Sequence, residues 1–159
     1  MAAPDSMRVA KRPPRMIKAP KITAIDMLRR TDKGDRERSR DIAIVKIARV
    51  LPPKNLAEWS ARVVTCRNKD NGHNHRVNIW SPDRIITSHS LIVANCDCPR
   101  MVYWYEVVNA EKLGASFIFR SNGQPSNERN PLQRPGLCKH CYLALRTLVK
   151  RGDLKITSS

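Results

Sequence analysis

The chain has 159 residues, of which 30 are Lys or Arg and 14 are Asp or Glu, giving a formal net charge of +16 with 41% hydrophobic content. That length suits one ordinary domain with a real core, and no run approaches the roughly 18 continuous apolar residues of a membrane span. The opening Met1-Ala-Ala-Pro-Asp5 lacks an apolar stretch, so no secretory leader is expected, and a charge excess of this size calls for an anionic partner.

Residues 1–40 read as an extended basic arm. Lys11, Arg12, Arg15, Lys18, Arg29 and Arg30 are its candidate contacts to nucleic acid or to neighbouring subunits. Pro4, Pro13, Pro14 and Pro20 prevent a long regular element, and only Ile22 to Arg30 has the spacing of a short helix.

A folded domain is expected over 41–159. Ile42 to Leu51 mixes two hydrophobic periods and is read as a strand, stopped by Pro52-Pro53. The alternating runs Ala61 to Arg67 and His75 to Trp80 flank Asn68-Lys-Asp-Asn-Gly72, where Asn-Gly supplies the positive-φ turn of a hairpin. Ser90 to Asn95 follows as a strand, which predicts a three-stranded antiparallel sheet. His73 and His75 fall at the hairpin turn and are expected to face solvent; a second, weaker metal site would need His89 as well.

Pro99 and Gly114 bracket a predicted helix with Met101, Trp104, Tyr105 and Val108 at helical spacing, although its β-branched and aromatic content makes a strand the rival reading. Ala115 to Arg120 reads as a strand ending in an Asn122-Gly123 turn. Residues 124–137 read as a loop broken by Pro125, Pro131, Pro135 and Gly136. A final helix places Tyr142, Leu145, Leu148 and Val149 on one side, with Gly152 as its stop.

The five cysteines are Cys66, Cys96, Cys98, Cys138 and Cys141, an odd count that argues against a disulfide framework. Four of them fall in two tight clusters, the usual spacing of metal ligands. Cys96 and Cys98, at i and i+2 of a strand end, face one side. Cys138 and His140 precede the last helix, whose free N–H groups and positive dipole end favour thiolate sulfur. Three thiolates and an imidazole make a closed tetrahedral shell for Zn2+, with Zn–S of about 2.3 Å. Cys141 is the alternative fourth ligand to His140, and Cys66 is expected to be a buried apolar residue. The zinc shell would carry one net negative charge, which Arg100, Arg134 and Lys139 are placed to offset.

Cys96-x-Cys98 followed by Cys138-x-His140, with a strand before and a helix after, resembles the SWIM-type zinc finger. That resemblance implies a β-β-α core around one zinc and a role in DNA binding or protein contact. The gap between the ligand pairs is longer than usual in the family, so residues from about 99 to 137 form an insert. Within it, Cys96-Asp-Cys-Pro99, the run MVYWYEVVNAEKLGAS and Arg134-Pro-Gly-Leu-Cys-Lys-His140 resemble SWIM-like proteins of tailed bacteriophages over residues 60–150.

The expected fold class is α+β: a small antiparallel sheet and a C-terminal helix joined by a zinc site, preceded by the basic arm. The expected function is a non-enzymatic virion component, made in the bacterial host cytoplasm and not secreted. Its partners would be other virion proteins, with nucleic acid reached through the arm; no membrane and no small-molecule substrate are expected. The alternative is an intracellular DNA-binding regulator. With four protein ligands no position is open for water, so the site is expected to be structural. Neither a Gly-rich phosphate loop nor a Ser-His-Asp arrangement is visible.

Overall fold

The computed structural model describes residues 15–16, 20–52, 58–118, 129–151 and 157–158. The chain begins with β1 (Arg15–Met16), α1 (Ala24–Arg30), α2 (Lys33–Arg38) and a single 3-10 turn (Ser39–Asp41). Four strands follow: β2 (Ile42–Val50), β3 (Ser60–Asn68), β4 (Asn74–Ser81) and β5 (Val93–Cys96). A π-helical turn (Met101–Tyr105) leads into α3 (Glu106–Leu113). After β6 (Phe117–Ile118) come α4 (Lys139–Arg151) and β7 (Thr157–Ser158).

The fold is α+β. Strands β5, β4, β3 and β2 form an antiparallel meander in that order, and β7 adds a short parallel pairing at the β2 edge. The antiparallel sheet therefore has four strands, not the expected three, because the run beginning at Ile42 pairs along the whole of β3. Its mixed period has a structural cause. The β2–β3 register shifts between Ile44 and Lys46, so Val45 bulges outward, 47% exposed, while Ile42 and Ile47 both point inward. The hairpin matches expectation: Gly72 has φ of 73°, and the Gly72 N–H donates to the Asn68 carbonyl at 2.8 Å.

The boundary expected at residue 40 is a clear correction. Ile22, Ala24 and Met27 are buried in the main core, and Leu28 packs against it. Two caps define the helices. Thr23 Oγ1 accepts from the Asp26 N–H at 3.3 Å, and Asp32 Oδ2 accepts from the Gly34 N–H at 2.9 Å. Charge dominates the composition here, but a few well-placed apolar residues suffice to dock α1 and α2 against α4. Of the expected arm, residues 1–14 and 17–19 lie outside the described residues.

The helix reading of 99–114 holds, with a tighter end than its start. Gly114 closes α3 in the left-handed region at φ of 59°. The strand expected over 115–120 contains β6, paired with β1, while residues 119–120 and the Asn122-Gly123 turn lie outside the described residues. Gly152, the expected stop of α4, lies outside them as well. The inward face of α4 is His140, Cys141, Ala144, Leu145 and Leu148, with Tyr142 and Val149 half-buried at its margins.

The described part of the 124–137 loop is held by two asparagines. Asn130 Nδ2 donates to the carbonyls of Trp104 and Arg134, at 3.0 and 2.9 Å. Buried Asn109 donates to the Gly136 carbonyl at 2.7 Å and accepts from the Gly136 N–H at 3.0 Å. Gly136 lies so close to Tyr105 that a Cβ would stand 2.9 Å from its ring. These contacts deliver the chain to Cys138. Asn109→Ala would leave both Gly136 groups unpaired, and we expect it to cost about 2 kcal/mol in urea unfolding.

Candidate metal centre

Cys96 ends β5, the edge strand of the sheet, and Cys98 lies two residues further on, just before the π turn. Cys138 and His140 stand at the head of α4. The three sulfurs and one imidazole nitrogen all lie within 4.8 Å of one another, and all four residues are buried. The group can hold a metal ion. It lies where the edge strand of the sheet meets the head of the last helix, which also packs against β2, β4 and β5.

Backbone donors aim at the sulfurs. The Met101 N–H reaches Cys98 Sγ at 3.4 Å and the Cys141 N–H reaches Cys138 Sγ at 3.4 Å. Such bonds favour thiolate over thiol. Burial opposes ionisation of Cys138, yet hydrogen bonds from Cys141, Cys96 and Cys98 outweigh it and hold this thiol well below its ordinary value. Cys96 is pushed well above by burial and then by its bond to Cys138. Cys98 is pushed up first by its bond to Cys138. Metal binding here would require the thiol protons to leave, because the ligating form of cysteine is the thiolate.

His140 is oriented by a residue far away in sequence. Its Nε2 lies 2.7 Å from Asn68 Oδ1, and its Nδ1 lies 3.9 Å from Cys138 Sγ. An amide oxygen only accepts, so Nε2 carries the proton and Nδ1 turns its lone pair toward the sulfurs. Partners of this kind fix the tautomer and aim the ring. We expect Asn68→Ala to lower metal affinity by about 10–100-fold, measured by competition with a chromogenic chelator.

Asp97 anchors the Cys-Asp-Cys turn to β4. Its carboxylate accepts from the Arg76 N–H at 3.2 Å and from His75 Nδ1 at 2.9 Å. His75 corrects the sequence reading: it is a half-buried strand residue, its ring 4.4 Å from that of His140. His73 is exposed, as expected. Among the described residues, the Cys96, Cys98, Cys138 and His140 group is the one that gathers three or more such donors, so His73, His75 and His89 do not form a second site.

A cleft of about 400 Å³ opens beside the cluster, lined by Cys98, Cys138 and His140 together with Arg38, Arg100 and Lys139. Arg100 and Lys139 thus sit where the sequence placed them, near the sulfurs. Arg134 is exposed, and its backbone N–H bonds to Asn130 Oδ1 at 3.1 Å. Arg100 Nε also contacts the buried Asp35 carboxylate at 2.8 Å, and its guanidinium lies 4.1 Å above the Trp104 ring. Cys66 is the buried residue expected: its thiol sits 3.8 Å from the His140 carbonyl, and burial pushes it up to about 12.

No protein-family model matches the chain, and neither a curated protein nor a solved structure is similar to it. The SWIM-type and bacteriophage resemblances therefore rest on the motif residues alone. What the fold supplies is the convergence of those residues on one point.

The predicted arm contacts are only partly described. Lys11, Arg12 and Lys18 lie outside the described residues, and Arg15 belongs to β1. Arg29 and Arg30 are exposed on α1, with Arg29 paired to Asp26 at 3.8 Å. Sequence reasoning missed Asn68 and Asp35 as neighbours of the site. Asn68 read only as the start of a turn, and Asp35 as one charge among many.

Proposed function

We propose that this chain is a non-enzymatic, zinc-stabilised structural component of a bacteriophage particle. Its basic N-terminal segment would contact neighbouring subunits or packaged DNA, and the virion would be its location. The observation that carries the reading is the buried group of three cysteines and one histidine at the junction of β5 and α4. Three sulfurs and one nitrogen make the donor set of a structural zinc, and four protein ligands leave no position for a substrate or an activated water. When bound, zinc would supply a cross-link between sheet and helix.

The charge of the chain supports an anionic partner, and the phage context comes from the motif resemblance over residues 60–150. Mass spectrometry of gradient-purified particles of the encoding phage tests the assignment. We expect the chain at a fixed ratio to the major capsid protein. Its absence from particles, with abundance in infected-cell lysate, would overturn the virion reading.

The alternative, an intracellular DNA-binding regulator, has one observation in its favour. Exposed Arg29, Arg30, Arg36, Arg146, Lys150 and Arg151 lie on α1, α2 and α4, which pack together. On that reading log affinity for duplex would fall with log salt at a slope of about −0.9 per phosphate contacted. A flat salt response would remove it.

A further inference from the structure

The cleft beside the metal centre is far larger than an ion needs. Its volume is about 400 Å³, whereas an ion held about 2.3 Å from its sulfurs fills only the space between the four donors. Three cations line it from three separate places: Arg38 from α2, Arg100 from just before the π turn, and Lys139 from the head of α4. Among the described residues that line the cleft, none is acidic. The two carboxylates nearby are engaged elsewhere. Asp35 is fully buried against Arg100 and Arg38, and Asp97 accepts from His75 and from the Arg76 N–H.

Neutral donors complete the wall. Asn68 lines the cleft and is only 6% exposed. Its Oδ1 accepts from His140, while its Nδ2 has no hydrogen-bond partner among the described residues and is not sealed inside the core. The two N–H donors of that amide are left to the cleft. Lys139 and His140 line it too, and their backbone N–H groups, the first of α4, have no partner within the helix. A helix of 13 residues brings the positive end of its dipole to the same place.

Charge decides which anion fits. Asp35 balances one of the three cations, and the net negative charge of a zinc shell with three thiolates would balance a second. One positive charge remains, which matches one phosphodiester. A chain of net charge +16 also suits a polyanion better than a small ion.

We propose that this cleft binds one backbone phosphate of a nucleic acid, held by Arg38, Arg100 and Lys139 together with the Asn68 amide. The inference rests on the reading of nucleic acid as a partner and adds a point of grip outside the N-terminal segment, at the head of α4. The two guanidinium forks match paired phosphate oxygens, and Lys139 supplies a point charge.

Nuclear magnetic resonance of the zinc-loaded full chain tests this, with a short DNA duplex as the probe and inorganic phosphate at equal ionic strength beside it. We expect the duplex to move the Asn68 side-chain amide and the backbone amides of Lys139 and His140 together, along one saturating curve. Arg38→Gln/Lys139→Gln should then weaken duplex binding roughly fivefold at physiological salt and make the slope of log affinity against log salt shallower by about 0.9, the effect of one phosphate contact. Duplex binding that leaves the three amides unmoved would overturn the proposal while keeping nucleic acid as a partner. Movement with inorganic phosphate but not with duplex would overturn the nucleic-acid source of the phosphate. A chain that binds no duplex at all would refute both the proposal and the reading beneath it. Because the wild-type spectra carry these outcomes, the test stands even if the double variant does not fold.

Discussion

Cys138→Ser is expected to abolish tight metal binding and to lower the melting temperature in the same step. Cys138 is the sulfur on which the others converge: it accepts from Cys96, Cys98 and Cys141, and it lies 3.9 Å from His140 Nδ1. A hydroxyl in its place offers a poor ligand and breaks the contact between β5 and α4. Structural zinc sites contribute about 10–16 kcal/mol of apparent binding free energy, shared among four ligands, so losing one should cost about 3 kcal/mol or more. Elemental analysis and thermal unfolding, with and without a chelator, check it. The wild type should lose stability on chelation and the variant should not. A variant that retains full stability without metal would remove the structural role of the centre.

The sign of the pH dependence follows from the thiols. Burial holds Cys96 well above its ordinary value, the bond to Cys138 does the same for Cys98, and Cys138 lies below. At neutral pH the metal-free cluster therefore keeps protons on Cys96 and Cys98, and metal uptake must expel them. Affinity should rise with pH. Calorimetry in buffers of different ionisation enthalpy should show proton release, and a heat independent of buffer would contradict the protonation pattern.

Asp35→Ala should be the most damaging substitution outside the cluster. The Asp35 side chain is 0% exposed and serves three donors: Arg100 at 2.8 Å, the Tyr105 hydroxyl at 3.0 Å and Arg38 at 3.2 Å. It joins α2 to the segment that follows Cys98. Burial works against the Arg100 charge, but Asp35 more than offsets it. Burial and Asp35 also push the Tyr105 phenol above its ordinary value, keeping it a donor. Removing one partner of a buried ion pair costs about 3–5 kcal/mol, because the remaining charge is left uncompensated. For a chain of this size that is a fall in melting temperature on the order of 10 °C. Asp35→Asn, which still accepts from Tyr105, should recover part of it. A loss below about 1 kcal/mol, the range of a surface pair, would show that the network is solvated.

Sequence and structure divide the protein along a physical line. Local signals were readable from the residues in order. Asn71-Gly72 marked the hairpin because only a tolerant residue takes positive φ there. Gly114 marked a helix end for the same reason, and the stripe through Leu145 and Leu148 marked the buried side of α4. The spacing of Cys96-x-Cys98 and Cys138-x-His140 pointed to a shared site, and the fold brings the four donors within 4.8 Å of one another. By itself, then, the sequence determined the main turns, the stripe of the last helix and three of the four donors, leaving His140 and Cys141 open as the fourth; the structure groups His140 with Cys96, Cys98 and Cys138. Tertiary structure alone decided what surrounds that set. Asn68 reaches His140 across 72 residues, and Asp35 reaches Arg100 across 65. It also docked residues 20–41 onto the core, where a dense local charge had concealed Ile22, Ala24 and Met27. Periodicity and turn chemistry act over a few residues and leave a written pattern. Contacts between distant segments depend on how finished elements pack, and no local pattern records them.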